Sequence, residues 1–407
     1  MKHGPANRSV TWPRGFRAAG VTCGIKPSGR PDLAVIAADR PAAAAAVFTR
    51  NRVPGAPVVV GKRHVRSGRL QAIVCNSGCS NVCTGKGGEA DAKAMCRLTA
   101  EQVGCRAAHV LPSSTGVIGV RLPMDKVAAG IVAACTTLTS GKAADAAAAT
   151  AILTTDLVTK HATRQLTLDG NQVRLGGIAK GSGMIAPNMA TMLSYITTDA
   201  AIQPDLLKRA LRDAANVSFN CISVDEDTST SDTIAILASG AAENRDIKAM
   251  GKDYAAFAEA LTNLCRDLAY QVVKDGEGAT KVFRVHVRGA ASKRDADRVG
   301  KAMVGSPLIK TAVHGGDPNW GRMVMAVGRS GAKLTPAKLN MAIGDVAVCR
   351  HGANVQQTAA TARKLDRLMA AKEITFVIDL GLGDAEAEWL GCDLSREYIT
   401  INADYTT

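Results

Sequence analysis

Short apolar runs of strand length alternate along this chain with segments whose apolar residues recur at helical spacing. A chain patterned in this way folds as helices packed on sheets. "DLAVIAAD", "AAAVFT" and "LQAIVCNSG" are the first such runs. In the segment from Glu89 to Val103, Ala92, Met95, Cys96, Thr99 and Val103 share one face of a helix. Val127, Ile131 and Cys135 do the same in the next helix, which follows "LPMD" with Asp125 near its positive end. Leu207, Ala210, Leu211 and Ala214 stripe a third helix, and Phe257, Leu261, Leu264 and Leu268 a fourth. Each stripe reads as core packing. The Ala-rich stretches "PAAAAAVF" and "AADAAAATAIL" read as close-packed or helical. After "DGEGATK" the pattern changes: Phe283, Val285 and Val287 alternate with Arg284, His286 and Arg288, the period of a half-exposed strand. Further strands are expected around "NMAIGDVAVC" and "EITFVIDLGLG". The expectation is mixed α/β, with a main lobe over 1–282 and a smaller C-terminal α/β lobe over 283–407.

Composition narrows the function classes. The 407 residues are 46% apolar and 21% charged, ordinary for a globular chain of two domains or one large lobed unit. No run of about 18 apolar residues exists to span a membrane. The net charge of +14 is scattered, without a dense basic block, and aromatics are only 3%, too few for stacking on nucleic acid. An enzyme handling small anionic metabolites explains the charge as well, which leaves nucleic acid a minor alternative. Eleven cysteines at irregular spacing, without a signal peptide, read as reduced thiols of a cytoplasmic protein. Cys75, Cys79 and Cys83 recur every four residues, but no CxxC or clustered histidine completes a metal set. The segment before Asp32 is basic like a transit peptide, yet "GFRAAGVTCGIKPSG" is punctuated by Gly and Pro and is read as part of the fold.

The chemistry centres on "KGSGMIAPNMATMLSYITTD", residues 180–199, where a lysine-headed glycine loop leads to Thr191. Two readings stand: a turn before a core strand, or a threonine nucleophile freed by cutting its own peptide bond. "GGIAKGSG" is neither a Walker A loop nor GxGxxG. "PSSTGVIG", residues 112–119, by itself reads as a turn between a strand and the following helix. Its small residues and threonine hydroxyl are also what an oxyanion hole uses. Asp225, Glu226 and Asp227, like Asp275 and Glu277, read as solvated acidic loops, and "HGGDPNWGR" as a rigid structural loop. There is no GxSxG elbow.

Taken in order, "VTWPRGFRAAGVTCGIKPSG", "VFTRNRVPGAPV", "STGVIG", "TTD", "KGSGMIAPNMATML", "GEGATK", "GDPNWGR" and "INADYTT" resemble the motifs of the ornithine acetyltransferases of arginine biosynthesis, also called bifunctional glutamate N-acetyltransferases. The resemblance runs from about residue 10 to the end. It implies an α/β sandwich similar in outline to N-terminal nucleophile hydrolases but with different connectivity. It also implies self-cleavage of the Ala190–Thr191 bond, giving an α chain of 1–190 and a β chain of 191–407 that associate as α2β2. Thr191 would be the nucleophile, Thr115 and Gly116 the oxyanion hole, and Thr154, Lys180, Thr191, Glu277, Asn402 and Thr407 the substrate-binding positions. We pair Lys180 with a substrate carboxylate and Glu277 with a substrate ammonium. Asn402 and Thr407 would bring the end of the chain into the site.

The implied reaction is transfer of an acetyl group from N2-acetylornithine to glutamate, with no cofactor; no motif decides whether acetyl-CoA also serves as donor. Three departures from the family pattern stand out: Cys79-Ser80-Asn81 in place of Asn-Ala-Asn, Glu226 in place of glycine, and Ser231 in place of asparagine. The competing readings are an N-terminal-threonine amidase or aminopeptidase and an uncleaved, non-catalytic homologue.

Overall fold

The computed structural model describes residues 2–5, 7–186 and 192–404. Among them, a nine-stranded sheet runs in the order Lys2–His3, Lys160–Leu168, Asn171–Lys180, Leu193–Thr198, Thr233–Ala238, Leu33–Phe48, Arg69–Cys79, Val110–Val117, with Phe16–Val21 also paired to Leu33–Phe48. The runs "DLAVIAAD" and "AAAVFT" are thus two halves of one strand, Leu33–Phe48. Its first half pairs with Arg69–Cys79 and its second with Thr233–Ala238, and its register shifts between Ala37 and Ala42. An irregularity of this kind bends a strand. Here it folds the sheet onto itself. Ile178, Leu193, Tyr195 and Ala235 on one half share a core with Ile36, Ile73, Cys75 and Leu111 on the other.

The outer faces carry helices. Leu175, Ile196 and Ile236 pack with Leu207, Leu211, Phe257, Leu261 and Leu264 of the helices Pro204–Asn216 and Lys252–Lys274. Val35, Ala72 and Val74 pack with Ala92, Met95, Val127 and Ile131 of the helices Gly85–Val103 and Met124–Thr136. The result is helix, sheet, sheet, helix: the layered α/β sandwich expected. Each Leu or Phe buried in these stripes contributes ~1.5–3 kcal/mol over leaving it exposed. With both faces covered, Leu193–Thr198 and Thr233–Ala238 are buried at every residue. Two strand pairs in the sheet are parallel, Arg69–Cys79 with Val110–Val117 and Leu193–Thr198 with Thr233–Ala238, and a helix crosses over between the members of each.

A seven-stranded sheet follows the order Ala353–Asn354, Val346–Arg350, Asn340–Ile343, Glu373–Asp379, Val282–Ala290, Ala385–Cys392, Ile222–Ser223. As the alternation required, Phe283, Val285 and Val287 are buried, packing with Ala296, Val299 and Met303 of the helix Lys293–Val304. Phe283 meets Phe376 edge to face at 5.7 Å between ring centres. One strand comes from far upstream: Ile222–Ser223 pairs with Ala385–Cys392. "HGGDPNWGR" joins the helices Pro307–Gly315 and Trp320–Gly328, with Asn319 capping the second through Arg322 N.

One local reading is corrected. "PSSTGV" is not a turn but the end of the strand Val110–Val117, and Pro112 to Thr115 are buried. Small hydroxylated residues suit a parallel strand closed in on both faces, and periodicity alone does not separate that from a loop.

Candidate active site

The strand Val110–Val117 delivers Thr115 and Gly116 beside the parallel strand Arg69–Cys79, where Ser77 stands opposite Thr115 and Gly78 opposite Gly116. Gly116 has φ of 130°, and a Cβ there would lie 2.3 Å from the Gly78 carbonyl carbon, so the close approach of the two backbones demands glycine. Ser114 Oγ donates to Asn76 Oδ1 at 2.6 Å, and Asn76 Nδ2 to the Cys79 carbonyl at 2.8 Å, which fixes both strand ends.

From the facing half of the sheet, the strand Asn171–Lys180 ends at Lys180, whose side chain is buried. Lys180 Nζ donates to Thr115 Oγ1 at 3.4 Å, a long bond and the one it makes among the described residues. An ammonium has three donors. Lys180 therefore keeps capacity for a further acceptor. Burial lowers its pKa below the usual lysine value, and the charge of Asp156 is the strongest influence opposing that.

Asp156 is buried and accepts from Gly181 N at 2.6 Å, Thr154 N at 3.0 Å and Lys160 Nζ at 2.7 Å. Burial alone would raise its pKa. The charges of Lys180 and Lys160, with these hydrogen bonds, outweigh it and bring the carboxyl down to about 2. Lys160, wholly buried, also donates to Asp275 Oδ2 at 2.5 Å. Asp275 accepts from Leu157 N at 3.1 Å, and its carbonyl accepts from Ser182 Oγ at 2.7 Å.

Next along the glycine loop, the Ser182 carbonyl accepts from Glu277 N at 3.0 Å. The Glu277 carboxylate lies against Gly183, where a Cβ would come within 2.3 Å of Oε2. Asn402 Nδ2, on the terminal helix Arg396–Asp404, donates to that same Oε2 at 3.0 Å. The helix is seated by Ser395 Oγ on the Gly278 carbonyl at 2.6 Å.

The chain is pinned on both sides of residues 187–191. Met184 N and Ile185 N donate to the Asp225 carboxylate at 2.6 and 2.7 Å. Burial pushes the Asp225 pKa up to about 6 against the pull of those two amides. Met192 N donates at 3.0 Å to Asp232 Oδ1, whose other oxygen has no partner among the described residues. Asp232 is fully buried, which drives its pKa well up.

The structure thus brings Thr115 and Gly116 to Lys180, ties the backbone of Thr154 to the same cluster, and joins Glu277 to Asn402. The expected nucleophile Thr191, its cleavage partner Ala190, and Thr407 lie outside the described residues. Asp156, Lys160, Asp225, Asp232 and Asp275 were not picked out as site residues. Asp275 also corrects the reading of its loop as solvated, because it is buried; Asp225 is half-buried, while Glu226 and Asp227 beside it are exposed as expected. The available signal was position: Asp156 closes "TTD", and Asp275 directly precedes "GEGAT". Lys160 left no signal, being one lysine in a strand.

No group of three or more His, Cys, Asp or Glu among the described residues is placed to hold a metal ion, and no described helix is long and apolar enough to cross a membrane. A cavity of about 580 Å³ lined in part by Arg50, Cys221, Lys301 and Trp389 includes none of the site residues.

A sequence model of the ArgJ family matches residues 17–407. The chain belongs to the ArgJ family. An ArgJ relative from Symbiobacterium thermophilum, named arginine biosynthesis bifunctional protein ArgJ, is 47% identical over 400 residues, 98% of each chain. The protein of that name from Geobacillus kaustophilus is 46% identical over 407 residues, covering 99% of this chain and 97% of the relative. A crystal structure of an ornithine acetyltransferase complexed with ornithine, from Mycobacterium tuberculosis, aligns with 45% of this chain and 96% of that one, at 43% identity and a TM-score of 0.42.

The backbone at Glu226, where glycine was expected, is of a kind that suits glycine. Glu226 sits at φ of 67°, the left-handed region that favours glycine. Its carboxylate packs on Gly305, where a Cβ would be 1.8 Å from Oε1. Ser231 is buried, with its amide donating to Ser229 Oγ at 3.0 Å. Cys79 is buried as well, its thiol reaching the Val120 carbonyl at 3.2 Å.

Proposed function

We propose that this chain transfers the acetyl group of N2-acetylornithine to glutamate, giving ornithine and N-acetylglutamate, through an acetyl ester on Thr191. Membership of the ArgJ family supports an acetyltransferase of arginine biosynthesis. The observation that carries the finer reading is Lys180: a buried ammonium beside Thr115 Oγ1, with donors left for a carboxylate. Glu277, two chain contacts away across Ser182 and Gly183, supplies a carboxylate for an ammonium. A buried cation at the head of the glycine loop and a carboxylate packed against that loop suit a substrate that is itself an amino acid.

The chain is first cut between Ala190 and Thr191, with Thr191 Oγ attacking the Ala190 carbonyl and water resolving the ester. That gives an α chain of 1–190 and a β chain of 191–407, which pair as α2β2. The freed α-amine, with a reference pKa of ~7.7–8.0, accepts the hydroxyl proton. Thr191 Oγ then attacks the acetyl carbonyl carbon of N2-acetylornithine. The C–N bond breaks, the proton passes to the leaving amine, and ornithine departs. Glutamate's amine attacks the ester, the C–O bond breaks, and the proton returns to Thr191. Thr115 and Gly116 stabilise the tetrahedral oxygen at both stages; one such donor is worth ~2.7–4 kcal/mol of barrier. In this reading the chain has a main lobe over 1–282 and a smaller one over 283–407, the reaction needs no cofactor, and the enzyme works among reduced thiols in the cytoplasm.

The test supplies N2-acetylornithine labelled in its acetyl group, with and without glutamate. Labelled N-acetylglutamate from the wild type, and none from Thr191→Ala, is the expected result. Labelled acetate released at the same rate without glutamate would replace the transferase with an amidase. Adding labelled acetyl-CoA in place of acetylornithine asks in the same assay whether it serves as a second donor.

A further inference from the structure

We propose that the buried ion cluster of Lys160, Asp156 and Asp275 is the positioning element of this site, fastening the segments that bear Thr154, Lys180 and Glu277 and supplying the negative charge that Lys180 faces. None of the three cluster residues has a role in the reaction as described above. The inference rests on the reading of Lys180 as the carboxylate-binding group.

The cluster connects three parts of the site. Lys160 holds two carboxylates, at 2.7 and 2.5 Å, and each carboxylate reaches a different piece of the site. Asp156 takes the amides of Thr154 and Gly181, so it fixes both the Thr154 backbone and the residue directly after Lys180. Asp275 takes the Leu157 amide, and its carbonyl holds Ser182, whose own carbonyl receives the Glu277 amide. Three stretches distant in sequence are joined through one buried lysine. A hydrophobic residue of similar size would fill the space of Lys160 without joining anything.

The second part is electrostatic. The charged or titratable groups that act on Lys180 come from several elements: Asp156 before the strand Lys160–Leu168, Lys160 on it, Cys75 on Arg69–Cys79, and Asp232 before Thr233–Ala238. Lys26 faces it from the loop ahead of Leu33–Phe48. Burial keeps the Cys75 thiol neutral, its pKa pushed up to about 12, and favours the protonated form of Asp232. Asp156, held low, is then the anion that Lys180 answers to, while Lys160 opposes the charge on Lys180. Removing Asp156 and removing Lys160 should therefore move Lys180 in opposite directions.

The test compares kcat and KM against pH for wild type, Asp156→Asn, Lys160→Met and Lys180→Met, using N2-acetylornithine and its carboxylate-free analogue N-acetyl-1,4-diaminobutane. Asp156→Asn is expected to raise KM for acetylornithine by roughly tenfold or more, the scale of one charge-assisted hydrogen bond, with little change for the analogue. Its alkaline limb moves to lower pH, and that of Lys160→Met to higher pH. Folded variants whose limbs coincide with the wild type, or which lose both substrates equally, would reduce the cluster to a structural brace. If Asp156→Asn does not fold, Asp275→Asn takes its place, because its side-chain carbonyl still accepts from Leu157 N. It should move the limb to lower pH, and an unmoved limb overturns the proposal. Lys180→Met separates the two readings. If it discriminates between the substrates and the cluster variants do not, only the cluster inference falls. If it does not discriminate, the assignment of Lys180 falls first.

Discussion

A carboxyl group shut away from water becomes harder to ionise unless cations and amide donors stand in for the solvent. At Asp156 they do so amply: Lys180, Lys160 and two backbone amides bring it from an ordinary value of 3.8 to about 2. A folded-state pKa below the unfolded one adds stability above the unfolded value and loses it as pH falls through the folded value. The contribution of Asp156 should therefore be complete above about pH 4 and vanish towards about pH 2. Asp156→Asn should flatten the acid limb of the stability curve across that window, as read from urea midpoints at successive pH values. A limb of unchanged steepness would mean that the charge on Asp156 does little for the fold. None of this network was legible beforehand, since Lys160 and Asp275 are 115 positions apart and no periodicity links them. What could be read was the set of residues proposed to touch substrate, because those sit inside short motifs.

At the scale of elements, the sequence was most informative where one face of a helix meets the core. The stripes at Leu207–Ala214 and Phe257–Leu268 are buried as the spacing required, while Val103 and Cys135, at helix ends, are only half-buried. It was least informative where both faces of a strand are covered. "PSSTG" carries small polar residues that mimic a turn, and the bend inside Leu33–Phe48 made one strand look like two. The terminal helix Arg396–Asp404 illustrates an element whose seat depends on a single glycine. Gly278 has φ of 66°, and a Cβ there would lie 2.5 Å from Tyr398 N. Gly278→Ala should lift the helix and separate Asn402 from Glu277. We expect faster amide exchange over 396–404 and a local cost of ~1–3 kcal/mol, with exchange in the central strands unchanged. Unaltered exchange in the helix would show that its seat tolerates the methyl group.

For the whole molecule, the proposed cut separates strands that pair within one hydrogen-bonded sheet. Leu193–Thr198, after the cut, pairs with Asn171–Lys180 before it, Lys180 standing opposite Leu193. Thr233–Ala238 pairs with Leu33–Phe48 across the same divide. Pieces that share two strand ladders and a common core cannot part without unfolding, so cleavage would leave one folded body made of two chains. The half-exposed strand Val282–Ala290 was legible from the change of period after residue 282. The upstream strand Ile222–Ser223 in the second sheet was not, because two residues carry no pattern. The central claim, that Thr191 becomes a nucleophile by releasing its own amine, is tested most directly by intact mass. Wild type and Thr191→Ala are measured fresh from expression, under native and then denaturing conditions. The expected result is a single native assembly that separates on denaturation into chains of 1–190 and 191–407, and one full-length chain for the variant. A wild type that remains one full-length polypeptide on denaturation would contradict it.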